Sequence, residues 1–132
     1  MSEENPLWVC YNTAFEWGKN DCCLMAANYV VATKGIDCAE PFRGKYNTAI
    51  GAYRLLSKAG GMEAILVRNG FKKLEYVGLA RTGDVALFYK ERSSWTMGIV
   101  NGSKAIFAGG ATKPLSELST IYRLCHSLPS QL

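Results

Sequence analysis

The feature that most constrains the fold is an apolar run over residues 22–33 that contains no charged side chain. Asn20 and Asp21, which are favoured helix N-caps, precede the run, and Gly35, a common helix stop, follows it. A surface helix carries charges along one face, so a helix without charges is expected to be buried. We therefore predict a central helix that begins near Cys22 and ends near Thr33.

Three further helices are predicted, from Pro6 to about Thr13, from an Asn47 cap through Ala59, and from Met62 to Arg68. Beyond Gly70 the pattern changes to strands, predicted over residues 85–89, 97–100, 105–108 and 121–125, with a hairpin signal at 101–102. Helices followed by strands favour an α+β fold in which N-terminal helices pack on a C-terminal antiparallel sheet. We expect one domain over residues 1–132, with its core at about 8–125.

Composition and charge exclude several classes of protein. The net charge is +4, but the basic residues are scattered, whereas nucleic-acid binding needs a clustered basic face. No apolar run approaches membrane-spanning length, and the acidic, polar start of the chain is not a secretory signal. An odd count of five cysteines without such a signal favours reduced thiols and synthesis in the cytoplasm.

Cys22 is the candidate nucleophile. It follows an Asp at the predicted helix start, where the partial positive charge of the helix N-terminus stabilises a thiolate. A working thiol also needs a base within hydrogen-bonding reach, usually histidine, and the sequence has one histidine, His126, near its C-terminus. The alternative is that Cys22 is a buried small hydrophobe at a helix start.

The order of elements and a set of motifs resemble the NlpC/P60 superfamily of papain-like cysteine hydrolases, and more closely its small phage and prophage branch encoded among tail genes. The resemblance spans roughly residues 8 to 125. The matching segments are Phe15-Glu16-Trp17-Gly18, Asp21-Cys22-Cys23, Gly35-Ile36-Asp37, Phe42-Arg43-Gly44-Lys45-Tyr46 with Thr48, Gly51 and Ala52, Gly83-Asp84-Val85, Gly98-Ile99-Val100 and Ala105-Ile106-Phe107.

The resemblance implies a nucleophile at Cys22, with Asp21 as a helix cap near the thiol. It puts the base position, a histidine in enzymes of the superfamily, on Thr96. The position of the polar residue that orients this base falls on or near Phe107. Neither Thr96 nor Phe107 accepts a proton usefully near pH 7, so the resemblance implies a scaffold that keeps its nucleophile and has lost its base.

Three other residues have a functional and a structural interpretation. His126 is either a relocated base or an exposed histidine near the end of the chain, and the second is favoured because catalytic groups need rigid placement. Asp84 follows a turn glycine, so bonding to backbone amides at the start of a strand is favoured over acid–base chemistry. Trp95 lies on a predicted loop and is a candidate partner contact.

No metal or other cofactor is predicted. Two adjacent cysteines on a helix point apart, and no Cys-x2–4-Cys pair occurs. The potential ligands considered are Cys22, Cys23, Cys38, Cys125 and His126.

Three functions remain open. The first is a phage tail-module virion protein whose groove docks other tail proteins in the tail tip or during tail assembly, with hydrolysis weak or lost. The second is an active cysteine peptidase or amidase that cleaves peptidoglycan peptides during host-wall entry. The third is a thiol acyl-transfer or binding domain with a different substrate. The first is favoured, which implies synthesis in the host cytoplasm and residence in the virion tail.

Overall fold

In the computed structural model, which describes residues 5–91 and 94–125, the chain has an α+β fold with four α-helices and a six-stranded antiparallel sheet. The helices are α1 (Pro6–Asn12), α2 (Leu24–Lys34), α3 (Ala49–Lys58) and α4 (Met62–Arg68). The strands are β1 (Phe71–Lys73), β2 (Val85–Glu91), β3 (Ser94–Asn101), β4 (Lys104–Ile106), β5 (Thr112–Pro114) and β6 (Thr120–Leu124).

Helix α2 starts two residues later than the sequence predicts. Its first helical residue is Leu24, and Cys22 and Cys23 lie in the turn before it. The Asp21 carboxylate accepts hydrogen bonds from the amides of Cys23 and Leu24, which holds these residues in a side-chain-capped turn rather than in the helix. At the other end Gly35 adopts the left-handed conformation at φ 72°, which confirms the predicted stop.

The remaining helices lie where they were predicted, with one correction. The N-cap of α3 is Thr48, whose hydroxyl accepts from the Gly51 amide, and not Asn47. Thr48 has the extended backbone of a cap residue, so the helix begins at Ala49. Within the described residues no helix is long and apolar enough to cross a membrane.

The sheet has the strand order β1-β6-β2-β3-β4-β5, and every neighbouring pair is antiparallel. The four strands predicted from the sequence are confirmed as β2, β3, β4 and β6, and β3 and β4 form the predicted hairpin. The edge strands β1 and β5 were not predicted from the sequence. Each has three residues, and they contain lysines or a proline, as edge strands often do.

The two faces of the sheet bury different cores because successive side chains of a strand point to opposite faces. Met97 and Ile99 of β3 face the larger core, where they pack with residues of α2 and α4 such as Met25 and Ile65. Val100 faces a smaller core on the opposite side. Helix α2 therefore lies against one face of the sheet, and its first turn lies beside β3.

Candidate functional site

The turn that carries Cys22 is attached to the edge of β3. The amide of Met97 donates a 2.8 Å hydrogen bond to the carbonyl oxygen of Cys22. Strand β4 pairs only with residues Ile99–Asn101 of β3, so the Met97 amide belongs to a stretch of β3 that β4 leaves unpaired. The backbone of the Cys22 turn takes that place beside the strand, which brings the predicted nucleophile next to the strand that carries the predicted base position.

Thr96 precedes Met97 and is half-buried. Because side chains alternate along a strand, Thr96 and Gly98 share the face opposite to Met97. Phe107 is buried on that face, and a Cβ atom on Gly98 would come within 2.6 Å of its ring. The backbone of Cys22 therefore lies beside the section of β3 that carries Thr96. Cys22 packs against the larger core on the Met97 face, whereas Phe107 belongs to the smaller core on the opposite face.

Asp21 is fully buried and accepts four hydrogen bonds. Its Oδ1 atom accepts from the amides of Cys23 at 3.0 Å and Leu24 at 2.9 Å, which caps the start of α2. Its Oδ2 atom accepts from the Gly18 amide at 2.8 Å and from the Tyr46 hydroxyl at 2.7 Å. With two donors on each oxygen, this carboxylate is engaged in holding the turn and is not available to orient a catalytic base.

Several residues of the matching motifs contact one another closely or form hydrogen bonds. Gly18 has a φ of +86°, and a Cβ atom there would come within 2.5 Å of the Tyr46 carbonyl oxygen, so both the conformation and the space require glycine. Arg43 makes a bidentate pair with Asp37 at 2.9 and 3.0 Å and also donates to the Asn28 side chain. These bonds fasten the segment between α2 and α3 onto the second turn of α2.

The Cys22 thiol is not activated in this arrangement. Burial, together with the negative charge of Asp21, raises the pKa of Cys22 to about 12. Burial also raises the pKa values of Cys10 and Cys38, to about 11. A thiol with a raised pKa is a weaker nucleophile at neutral pH because less of it is ionised. Burial and the charge of Asp21 therefore act against the expected stabilised thiolate, and Asp21 also occupies the first amides of α2.

Other candidate residues lie away from the thiol or outside the described residues. Asp84 is buried and makes a bidentate pair with Arg123 at 2.9 and 2.8 Å, and it accepts from one backbone amide, that of Arg81. His126 lies outside the described residues, and so does the Trp95 side chain. The predictions made for these two residues stay predictions.

The sequence did not identify the roles of Tyr46, which bonds Asp21 beside the thiol, and of Arg123, which pairs with Asp84 away from it. Tyr46 was noted only as part of the Arg-Gly-x-Tyr segment, and its bond to Asp21 spans 25 positions of sequence. Arg123 was read only as a strand residue, although it neutralises Asp84 from 39 positions away. The available signal was an Asp in each of two motifs, Asp21 and Asp84. If such a carboxylate is buried, it requires hydrogen-bond donors, and these can come from elsewhere in the chain.

The described residues contain no group of three or more His, Cys, Asp or Glu side chains close enough together to hold a metal ion. The cavities lined entirely by described residues include the following three. They lie in the core beside Cys23, between α1 and α2, and between the C-terminal half of α2 and the sheet. Cys22 lines none of these three.

The comparison with known families gives one match. The model of a family described as a domain of unknown function, DUF6950, matches residues 7–124. The chain belongs to the DUF6950 family. No curated protein and no solved structure matches this DUF6950 chain. Apart from Pro6, the match covers all the helices and strands described above, and it includes the Cys22 turn, Thr96 and Phe107.

Proposed function

We propose that this DUF6950 chain is a phage tail-module protein built on an NlpC/P60-like domain, in which the hydrolase site has decayed and the scaffold serves in the tail tip or in tail assembly. The observation that carries the proposal is the position of Cys22. Its carbonyl is bonded to Met97, next to Thr96, while its thiol has a raised pKa. This arrangement supports a hydrolase-like scaffold that has no group to activate the thiol.

The chemistry of amide cleavage explains why such a site would be inactive. A cysteine hydrolase needs a thiolate to attack the carbonyl and an acid to protonate the leaving amine. A positioned base supplies about 10²–10⁴ in rate. Among the described residues, Asp21 is the carboxylate beside Cys22, and all its hydrogen-bonding capacity is used by four donors. Thr96 offers a hydroxyl, which cannot accept a proton near pH 7.

The scaffold, by contrast, is maintained by bonds that have no catalytic role. Gly18, Asp21 and Tyr46 form one hydrogen-bonded unit, and Asp37 and Arg43 form another. The first unit holds the turn before α2 in place, and the second holds the segment that follows α2. A protein that had lost its activity but still needed the shape of this region for docking would keep these residues.

The first experiment measures release of amino groups from purified peptidoglycan. We expect no turnover above background from the wild-type chain and none from Cys22→Ala. We expect activity in Thr96→His, because the imidazole would restore a base next to the Cys22 turn. The controls are the double variant Thr96→His/Cys22→Ala and the variant Thr112→His, which adds a histidine at an exposed position of β5.

Cysteine-dependent turnover by the wild-type chain would contradict the proposal and support an active peptidase or amidase. Activity in Thr112→His equal to that in Thr96→His would also contradict it, because the gain would not depend on the site.

The tail assignment is tested separately. We expect mass spectrometry of purified particles, from the phage or prophage whose genome encodes this chain, to find it as a virion component. We also expect co-expression with the neighbouring tail proteins to give a stable complex that Cys22→Ala leaves intact. Absence from the particles and from every such complex would contradict the assignment.

A further inference from the structure

A cavity of about 260 Å³ lies between the C-terminal half of α2 and the sheet, at the opposite end of α2 from Cys22. Its walls come from α2, from β1, from the loop over residues 81–84 and from the end of β6. Drug-sized ligands occupy cavities of about 300–1,000 Å³, so this cavity suits a smaller molecule.

The charge of the cavity is positive. Three cationic residues line it, namely Lys34, Arg81 and Arg123, against one carboxylate, Asp84. Asp84 is already neutralised by its bidentate pair with Arg123. In the described part of the chain neither Lys34 nor Arg81 forms a side-chain hydrogen bond or ion pair, so their two charges are uncompensated at the cavity.

The guanidinium of Arg123 is held rigidly at the cavity wall. Its Nε and Nη2 atoms bond Asp84, and Nη2 also donates to the Leu79 carbonyl oxygen at 3.1 Å. The Nη1 atom takes part in none of these bonds. A fixed guanidinium with a remaining donor is well suited to an oxyanion, because little conformational freedom is lost when the ligand binds.

The lining of the cavity also includes two aromatic residues. Phe71 is buried at the start of β1, and Tyr29 contributes a half-buried ring from α2. A ligand with both a charged group and a compact apolar group would therefore match the cations and the aromatic residues of the lining. Lys34 has a structural explanation as well, because a cation in the last turn offsets the partial negative charge of a helix end, but Arg81 has none of this kind.

We propose that this cavity binds a small organic oxyanion, a phosphate ester or a carboxylate with a compact apolar group, at a site formed by Arg81, Lys34, Arg123 and Phe71. The site is independent of Cys22 and does not rest on the proposed tail function. A bound anion would link α2 to the loop over residues 81–84 and to β6.

The test is an amide NMR titration of the full chain at constant ionic strength, with phenyl phosphate, benzoate and inorganic phosphate as probes. We expect saturable binding of one aromatic probe, with the amide shifts concentrated at Gly83 and Leu124, and an affinity at least about fivefold above that of inorganic phosphate. The aromatic probe that binds more tightly identifies the anionic group as phosphate or carboxylate.

Variants that each remove one positive charge distinguish binding at this cavity from non-specific electrostatic attraction to a basic protein. We expect Arg81→Gln to weaken binding about tenfold and Lys34→Gln severalfold, as the loss of a charge-assisted contact should. The matched control is Lys104→Gln, which removes an exposed cation on β4. Binding that does not saturate, or that Arg81→Gln leaves unchanged, would overturn the proposal. So would a loss in Lys104→Gln equal to that in Arg81→Gln.

Discussion

Two buried carboxylates, Asp21 and Asp84, are stabilised in different ways, and the difference explains the state of the site. Asp21 accepts from three backbone amides and one phenol, all of them neutral. Asp84 accepts from one amide and from the Arg123 guanidinium. Dipoles stabilise a negative charge without cancelling it, whereas a guanidinium cancels it.

The two carboxylates act differently on the pKa values of the groups next to them. The uncancelled charge of Asp21 adds to burial in raising the pKa of the Cys22 thiol. At the other carboxylate, the hydrogen bond from Arg123 raises the pKa of the guanidinium and leaves that group permanently charged. A motif that places Asp directly before Cys therefore secures the turn at the expense of thiolate formation, unless another residue supplies a positive charge.

The largest effect is expected from Asp21→Ala. The substitution removes a helix cap and leaves four donors without their acceptor, so the free energy of unfolding should fall by about 4 kcal/mol. Chemical denaturation measures the change, with exposed Glu75→Ala as the control, expected within about 0.5 kcal/mol of wild type. A loss below about 1.5 kcal/mol would mean that the four bonds do not hold the turn.

A smaller effect is expected from Asp84→Asn. The Arg123 side chain is 32% exposed, so water can solvate the guanidinium once its partner has lost its charge. We expect a loss of about 2 kcal/mol, and a double-mutant cycle with Arg123→Met should show a coupling above about 1 kcal/mol. If Asp84→Asn costs more than Asp21→Ala, the contrast between the two carboxylates is wrong.

Tyr46→Phe removes one of the four donors to Asp21 and keeps the ring. The expected loss is about 1 kcal/mol, the usual net contribution of one hydrogen bond. The matched control is Tyr76→Phe, since Tyr76 is 67% exposed and should tolerate the change. Equal results for the two tyrosines would show that the Tyr46 bond does not contribute to stability.

The smallest effect concerns pH. The hydrogen bonds from Arg43 hold the pKa of Asp37 below its usual range, so the folded state favours the ionised form. The contribution of this pair is present above the unfolded pKa of about 3.9 and is lost as the pH falls through the lower folded value. The pair is partly exposed, so we expect at most about 1 kcal/mol.

Unfolding curves of wild type and Asp37→Asn between about pH 2 and pH 6 test this. The stability difference between them should shrink on acidification. A stability difference that stays constant, or that grows toward low pH, would contradict the predicted direction of the pH dependence.

The sequence predicted those parts of the molecule that local pattern determines. The four helices and the β3–β4 hairpin follow from periodicity, caps and the Asn101-Gly102 signal. The start of α2 was misplaced by two residues because Asp21 caps from the turn, through amides that sequence alone cannot assign. The strands β1 and β5 were missed because three residues carry too little alternation to detect.

The candidate site, too, was predicted from the sequence only in part. The proximity of the Cys22 turn to the strand of Thr96 was predicted through the family resemblance, and the Met97 bond places the two together. The state of the thiol was not predictable, because burial and the charge of Asp21 act against the helix N-terminus and their balance depends on tertiary packing.

The central claim is that the Cys22 thiol remains protonated at neutral pH, and the pH dependence of its alkylation tests this most directly. Iodoacetamide modification of each cysteine can be followed by peptide mass spectrometry, with exposed Cys125 as the internal reference. We expect Cys125 to react first near pH 7 and the Cys22 rate to keep rising beyond about pH 10 without a plateau. A Cys22 rate that levels off at or below about pH 8, or that exceeds the Cys125 rate at neutral pH, would contradict the account.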